Sequence, residues 1–295
     1  MSGLKRIHNP SRPPLTLRGG EVRIKKLKRP FEELVQTYSK EYLFSDPLKF
    51  VHQYSDPTDQ EVVAFIASAL AYGGVPQIFQ IVSQVLSKLG DSPARFLKNY
   101  SLSEHRFLFK KIYYRFHQSR DFNLLIYLLA KIYQEEGSLG ASFKKYFKKE
   151  DLDLACALTQ WTKEILSHEV SPFYSSGKIP QNAPVRFFFS SPADGSSCKR
   201  LNLFLRWMVR GPDGIDLGLW NFISPAQLVI PLDTHIYKIA RSLGLTRRKS
   251  PNWKMAQEIT AHLKSLDPQD PIKYDFALTR LGILKETERL DLFQS

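Results

Sequence analysis

Apolar residues recur at spacings of three and four along almost the whole chain after residue 30, and this periodicity constrains it to helices. The first apolar helical face is formed by Phe31, Leu34, Val35, Tyr38 and Tyr42. Signals for strands are scarce, and the best candidate is the run of three phenylalanines at 187–189, inside a loop rich in proline, serine and glycine. We therefore predict an all-α bundle of helices with short connections.

Capping and breaking residues predict where several of these helices begin and end. Thr58 and Glu61 have the spacing of a capping box ahead of a strongly apolar run. Pro76 stands at the start of the next helix, and Gly90 is suited to end it. The segment 211–231 is long enough to contain an additional helix.

Positive charge is concentrated at the amino terminus. The chain has 295 residues and a formal charge of +13, and residues 1–29 hold nine Lys or Arg against one Glu. We predict a basic arm over residues 1–30, which either attracts a polyanion or serves as a solubilising tail. Residues 31–295 then form the helical domain.

Composition argues against several classes of protein. No stretch approaches about 18 uncharged apolar residues, so we expect no membrane span. Cys156 and Cys198 are too few for a disulfide scaffold or a four-cysteine cluster, and no Cys/His grouping has the spacing of a zinc site. We expect a cytoplasmic monomer without metal or small-molecule cofactor.

The segment from Ser190 to Arg210 predicts an amphipathic helix with a charged stripe. Leu201, Phe204, Leu205 and Met208 fall on one face, and Lys199, Asn202, Arg206 and Arg210 fall on another. Cations in one stripe repel one another unless anions face them, and a phosphate backbone would serve. The alternative is an ordinary solvated basic face.

A second segment, from Ile230 to Leu245, places an acid at the start of a helix. Asp233 precedes a clean apolar stripe and has the position of an N-cap, where its carboxylate would accept backbone N–H bonds. Such a position favours the ionised acid. Asp is also among the commonest caps, so a purely structural role stays open.

Together these segments resemble the helix-hairpin-helix Gly/Pro-Asp DNA glycosylases. Lys199-Arg200-Leu201-Asn202 after a glycine-containing turn is similar to their lysine helix, and Leu232-Asp233-Thr234-His235 is similar to their Asp-Thr-His helix. The two segments also resemble an uncharacterised bacterial family distantly related to those enzymes. Two departures stand out: Ser197 replaces the second hairpin glycine, and Lys199 and Asp233 are 34 residues apart, a longer spacing than usual.

The resemblance implies a two-lobed helical fold with a cleft between lobes, residues 91–230 forming one lobe and residues 31–90 with 231–295 the other. It implies an enzyme that excises a damaged, flipped-out base from DNA, with Lys199 and Asp233 as catalytic residues and an abasic-site lyase activity. Trp207 and Trp220 are the implied base-stacking residues. The expected nucleic-acid contacts are Gly195, Ser197, Arg200, Asn202, Arg206, Arg210, Lys238, Arg241, Arg247 and Arg248.

Two other functions remain open at this stage. The chain could bind nucleic acid, DNA or RNA, without catalysis while keeping the glycosylase fold. It could instead be a helical scaffold whose basic arm binds an acidic protein. Salt-sensitive binding of nucleic acid separates these two, and a covalent adduct through Lys199 separates both from the enzyme.

Overall fold

The computed structural model describes residues 27–284, and this range is almost entirely helical. Five 3-10 helices join or flank the α-helices. The α-helices are α1 Lys28–Thr37, α2 Pro57–Ala69, α3 Val75–Leu89, α4 Pro93–Lys98, α5 Leu102–His105, α6 Ser119–Glu136, α7 Leu139–Lys144, α8 Ala155–Ile165, α9 Lys199–Val209, α10 Thr234–Ser242, α11 Trp253–Lys264 and α12 Asp275–Ile283.

The prediction of an all-α protein is confirmed. Within residues 27–284 no strand forms, and the sole β-type pairing is one bridge between Tyr114 and His117. The three phenylalanines belong to a 3-10 helix, Pro184–Phe189, because Pro184 fixes the first turn and the run is too short for a longer helix. No α-helix forms between residues 211 and 231, where only the 3-10 turn Pro225–Gln227 appears.

Local chemistry sets most helix boundaries, with one correction. Pro76 lies in the first turn of α3, and Gly90 ends that helix with φ +74°. The predicted capping box of Thr58 and Glu61 is wrong, because Asp56 caps α2 by accepting from the backbone N–H of Thr58. Asp56 lies two residues before Thr58, directly ahead of Pro57 at the first helical position, and the Glu61 side chain is buried in the interior instead.

Two helices lie at the centre of the core. Every residue of α2 from Glu61 to Ala69 is buried, and so are nine of the eleven residues of α9. The ring of Phe65 on α2 packs edge-on against that of Phe204 on α9, with centroids 5.3 Å apart. Helices with apolar side chains over most of their circumference are expected to be surrounded in this way.

Glu61 joins four parts of the fold through its buried carboxylate. It accepts from Tyr133 Oη at 2.6 Å, and from the backbone N–H groups of Leu139 and Gly140 and from Trp220 Nε1 at 2.8 Å each. Donors therefore surround both of its oxygens, which compensates the cost of burying the charge.

Residues 106–116, named here the rim loop, connect α5 to the segment before α6. His117 fixes the end of this loop. Its Nε2–H donates to the carbonyl of Pro184 at 2.9 Å, so its Nδ1 accepts from Tyr72 Oη at 2.6 Å. The ring stacks on Phe188, and burial lowers the pKa of His117 to about 4.

The start of the described range bears on the predicted arm. Leu27 is buried and α1 begins at Lys28, so the helical domain includes the last residues that were predicted to belong to the arm. Residues 1–26, which hold most of the arm, lie outside the described residues. Between residues 27 and 284, none of the helices has the length and apolar character to cross a membrane.

We predict that Glu61→Gln destabilises the protein strongly. The new NH2 group faces N–H donors where a carboxylate oxygen accepted them, so at least one buried donor loses its partner, at a cost of about 3 kcal/mol or more. Urea unfolding measures the loss. The matched control, Glu104→Gln at an exposed position, should change stability by less than about 0.5 kcal/mol. Equal effects of the two substitutions would contradict this role of Glu61.

We also predict that His117 makes the fold sensitive to acid. Its pKa of about 4 in the folded chain lies below the ordinary value of 6.5. The stability contributed by the neutral ring is complete above pH 6.5 and is lost as the pH falls toward 4. His117→Gln keeps one acceptor and one donor but cannot charge, so between pH 7 and 4.5 wild type should lose about 2 to 3 kcal/mol more than the variant. Parallel pH profiles in urea unfolding would disprove the assignment.

Candidate active site

A cavity of about 870 Å³ opens between segments that are distant in sequence. Its walls include residues 45–47 at the start of the 3-10 helix Pro47–Gln53, residues 71–75 leading into α3, and residues 231–235 at the start of α10. Lys199 on α9 and Asp275 on α12 also belong to the lining. The volume is within the range of about 300 to 1,000 Å³ that is typical of ligand pockets.

Lys199 enters this cavity from the first position of α9. The chain reaches it through a tight turn in which Gly195 has φ +74° and Cys198 has φ +50°. The amine of Lys199 donates to the carbonyl of Ala71 at 3.0 Å, which holds the side chain against the opposite wall. The Cys198 thiol is buried and donates to the carbonyl of Ser190, and burial raises its pKa to about 12, so it is not an available nucleophile.

Asp233 enters the same cavity as the N-cap of α10. Its Oδ1 accepts the backbone N–H of Ile236 at 2.7 Å, as the sequence predicts. The helix it caps packs closely on α12: a Cβ added at Gly282 would lie 2.5 Å from His235 Nδ1. Glycine at 282 therefore allows the approach that sets the position of Asp233 relative to α12.

Arg206 forms the centre of a buried ion-pair cluster at the base of the cavity. Its guanidinium donates to Asp275 Oδ2 at 2.5 Å and to Asp216 Oδ1 at 3.1 Å. Arg210 binds the other oxygen of Asp216 and also pairs with Asp270 at 2.9 Å. The cluster joins α9 to the loop that follows it and to α12.

The charges of this cluster are unevenly compensated. Burial disfavours the charge of Arg206, but Asp216 and Asp275 outweigh this effect and raise its pKa. Burial raises the pKa of Asp275 to about 6 despite the opposing effect of Arg206, and the negative charge of nearby Asp233 adds to the rise. Asp233 and Asp275 are thus two acids of one cavity that interact electrostatically.

A second buried pair closes the cavity on another side. Arg280 on α12 donates to Asp46 Oδ2 at 2.8 Å and to Ser45 Oγ at 2.9 Å, and all three residues line the cavity. Asp46 also caps the 3-10 helix Pro47–Gln53 by accepting the N–H of Leu48. Arg280 thus connects α12 to the start of that helix.

The sequence predicts that the cations on one face of α9 contact nucleic acid, but the structure buries the arginines of this face. The side chains of Arg206 and Arg210 are 2% and 8% exposed, and the carboxylates described above neutralise them. Arg200 is buried against the ring of Phe187 and donates to the carbonyl of that residue, and burial lowers its pKa to about 9. Asn202 is buried and donates to the carbonyl of Ser197. None of these four side chains presents a surface to phosphate.

The predicted stacking residues are also interior. Trp207 is fully buried in the core, and Trp220 is 3% exposed and donates its indole N–H to Glu61. Neither lines the cavity. Both indoles pack in the interior, so neither faces the cavity.

The other predicted contacts lie at the surface. Gly195 is exposed with open space around it, and Ser197 lines the cavity. Lys238, Arg241, Arg247 and Arg248 are exposed, and only Arg248 among them pairs with an acid, Glu258 at 2.9 Å, within residues 27–284. Arg241 donates to Tyr237 Oη, and Tyr237 together with Lys249 reaches the lining of the cavity.

Several cavity residues have no counterpart in the sequence-based prediction. Tyr72, Asp275 and Arg280 all line the cavity, and no local pattern assigned them a role. Asp275 is the first residue of α12, and acids are common there because they stabilise the positive end of the helix dipole, so its position alone does not indicate a site. Among residues 27–284, no three His, Cys, Asp or Glu side chains are grouped so as to hold a metal ion.

Comparison with known families identifies the chain at the family level. The model of the family described as "Protein of unknown function (DUF2400)" matches residues 46–284, which include every cavity-lining residue except Ser45. No curated protein and no solved structure matches the chain. The match extends over most of the sequence, and the chain therefore belongs to the DUF2400 family.

Proposed function

We propose that this protein is a DNA glycosylase with abasic-site lyase activity. The observation that carries the proposal is that the amine of Lys199 and the carboxylate of Asp233, from different helices, line one cavity. A nucleophilic amine and a fixed acid are the two groups that this chemistry requires. The substrate would be a nucleotide rotated out of the DNA helix, since a stacked base cannot reach such a cavity.

The first chemical step breaks the N-glycosidic bond. As the base departs with the bonding electrons, positive charge develops on the sugar, and the Asp233 carboxylate stabilises it electrostatically. The neutral amine of Lys199 attacks C1′ and forms the new C–N bond. A proton from that nitrogen is given up, and the departing base gains one.

The second step cleaves the strand. The sugar ring opens to give an imine between Lys199 and C1′, and loss of a proton from C2′ expels the 3′ phosphate. Water then hydrolyses the imine and restores the amine. These steps need no oxidant or metal, because each one transfers only protons between the amine, the sugar, the departing base and water.

Exposed cations near the cavity support DNA as the substrate. Lys238, Arg241 and Arg247 carry no acidic partner within residues 27–284 and belong to α10 or to the segment just after it. Lys249 lies on the cavity lining itself. Cations placed beside an opening of this size favour a polyanionic strand over a neutral small molecule.

We predict that borohydride traps wild-type protein on DNA with an abasic site, and that Lys199→Ala abolishes the adduct. Borohydride reduces the imine to a stable amine, and only the residue that forms the imine is required. Lys249→Ala removes the other lysine of the lining, and Lys238→Ala removes an exposed lysine outside it; both should still be trapped. The adduct is measured by its shift in a denaturing gel.

Loss of trapping only in Lys249→Ala would transfer the role to that residue. No trapping by wild type, together with no base release from duplexes containing uracil, 8-oxoguanine or alkylated bases, would exclude the enzyme. Salt-sensitive DNA binding that persists under those conditions would favour the binding protein without catalysis.

We further predict that Asp233→Asn removes the catalytic role of Asp233 but keeps its role as a helix cap. Asn caps helices about as well as Asp, so the free energy of unfolding should change by less than about 0.5 kcal/mol. The loss of the negative charge should lower the rate of base release by about 10²- to 10³-fold in single-turnover assays. Asp56→Asn, at the N-cap of α2, is the matched control and should leave the rate unchanged. An unchanged rate in Asp233→Asn would reduce Asp233 to a structural cap.

A further inference from the structure

The rim loop, residues 106–116, concentrates exposed aromatic and basic side chains. Phe107, Tyr113 and Phe116 are 71%, 78% and 49% exposed, and they are three of the five large apolar side chains exposed within residues 27–284. The loop also exposes the basic residues Arg106, Lys110, Lys111 and Arg115 and contains no acid. None of these cations forms an ion pair with a residue of the described range.

The loop is held rigid although its aromatic rings are exposed. Phe109, Tyr114 and the adjoining His117 are buried beneath it. The N–H of Phe109 donates to Asn123 Oδ1, and Ser119 Oγ donates to the carbonyl of Ile112. An aromatic ring that is presented on a fixed backbone loses little conformational entropy when a ligand covers it.

The backbone of the loop is strained at two positions. Lys111 has φ +70° and Arg115 has φ +55°, a conformation that residues other than glycine seldom adopt. The buried residues Phe109, Tyr114 and His117 hold the chain in this conformation, and Tyr113 between the two strained positions is exposed. Strain of this kind persists only where surrounding packing determines it, and it is concentrated at functional sites.

The loop reaches the cavity through Tyr72. Tyr114 Oη donates to the carbonyl of Tyr72, and a Cβ added at Gly73 would lie 2.8 Å from the same hydroxyl. The ring of Phe116 lies 5.9 Å from that of Tyr72, between centroids. Tyr72 and Gly73 line the cavity, so the exposed ring of Phe116 stands at its edge.

We propose that the rim loop binds the DNA strand next to the flipped-out nucleotide. Its aromatic rings stack on bases that have lost a stacking neighbour, and Lys110, Lys111 and Arg115 contact the phosphates. Interleaved cations and aromatic rings are the combination that binds unstacked nucleic acid. The identity of the polymer rests on the proposed function, whereas the role of the loop rests on its own exposure, charge and position.

The test measures the affinity of the full-length protein for three DNAs by fluorescence anisotropy: an intact duplex, a duplex with one abasic site, and a single strand. In Phe107→Ala/Tyr113→Ala/Phe116→Ala, affinity for the abasic and single-stranded DNA should fall by at least about 5- to 150-fold, which is the loss expected when stacking on one base is removed. The dependence on salt should remain that of wild type, since no charge changes. Leu152→Ala, at another exposed apolar residue, is the control and should bind as wild type.

The charged half of the loop is tested separately. Lys110→Ala/Lys111→Asn removes two cations, and Asn accepts the backbone conformation of position 111. The slope of log affinity against log salt should become shallower by about 1 to 2, while the preference for abasic over intact duplex persists. The matched control, Lys148→Ala/Lys149→Ala, removes two exposed lysines that do not line the cavity and should keep the wild-type slope.

The outcomes distinguish this proposal from the proposed enzyme. If both loop variants bind every DNA as wild type does, the loop has no such role, even where wild type is trapped by borohydride. If the affinity for DNA depends on the loop but no borohydride adduct forms, the loop binds DNA as proposed and the proposed enzymatic activity is rejected. If wild type binds vesicles of phosphatidylserine and phosphatidylcholine through the loop but binds no DNA, a membrane replaces the strand and the proposal is overturned.

Discussion

The placement of Arg206 between Asp216 and Asp275 constrains the rest of the site. A guanidinium inside a helical core is tolerated only when carboxylates neutralise it, and here they come from the loop after α9 and from the start of α12. Because these ion pairs hold only at short distance, a shift of α9 relative to α12 would leave a buried charge without its partner. The amine at the beginning of α9 is thereby fixed relative to the wall that α12 contributes, and α10 follows because it packs on α12 through Gly282.

The features that sequence predicts well are those that depend on a few neighbouring residues. The helical period, the proline start and glycine end of α3, and the N-cap at Asp233 are all local, and the structure has each of them. Lys199 and Asp233 both line the cavity. The sequence suggested their pairing only through a resemblance in the order of two helices, because nothing in the sequence itself measures a distance across 34 residues.

The cations of α9 show where local reasoning fails. The spacing of these residues correctly predicts that they share one face of the helix, but it does not show which residues pack against that face. The carboxylates that cover Arg206 and Arg210 lie up to 69 residues away in sequence. One signal was present: apolar residues border the charged stripe on both sides, with Leu203 and Trp207 along one edge and Val209 along the other, so apolar side chains cover most of the helix. Charged residues on such a helix have to be paired internally.

The strained backbone positions lie beside the cavity and at its edge. Within residues 27–284, the non-glycine residues with positive φ are Lys111, Arg115 and Cys198. Cys198 immediately precedes the amine that enters the cavity, and the other two shape the rim loop. A non-glycine residue with positive φ lowers the stability of the fold by on the order of 1 kcal/mol or more, so glycine would be the more stable choice at each of these positions. The side chains at these positions are two exposed cations and a buried thiol that donates to the carbonyl of Ser190 in the turn before Lys199. The strained positions therefore lie in the turn that leads to the cavity lysine and in the loop at the edge of the cavity.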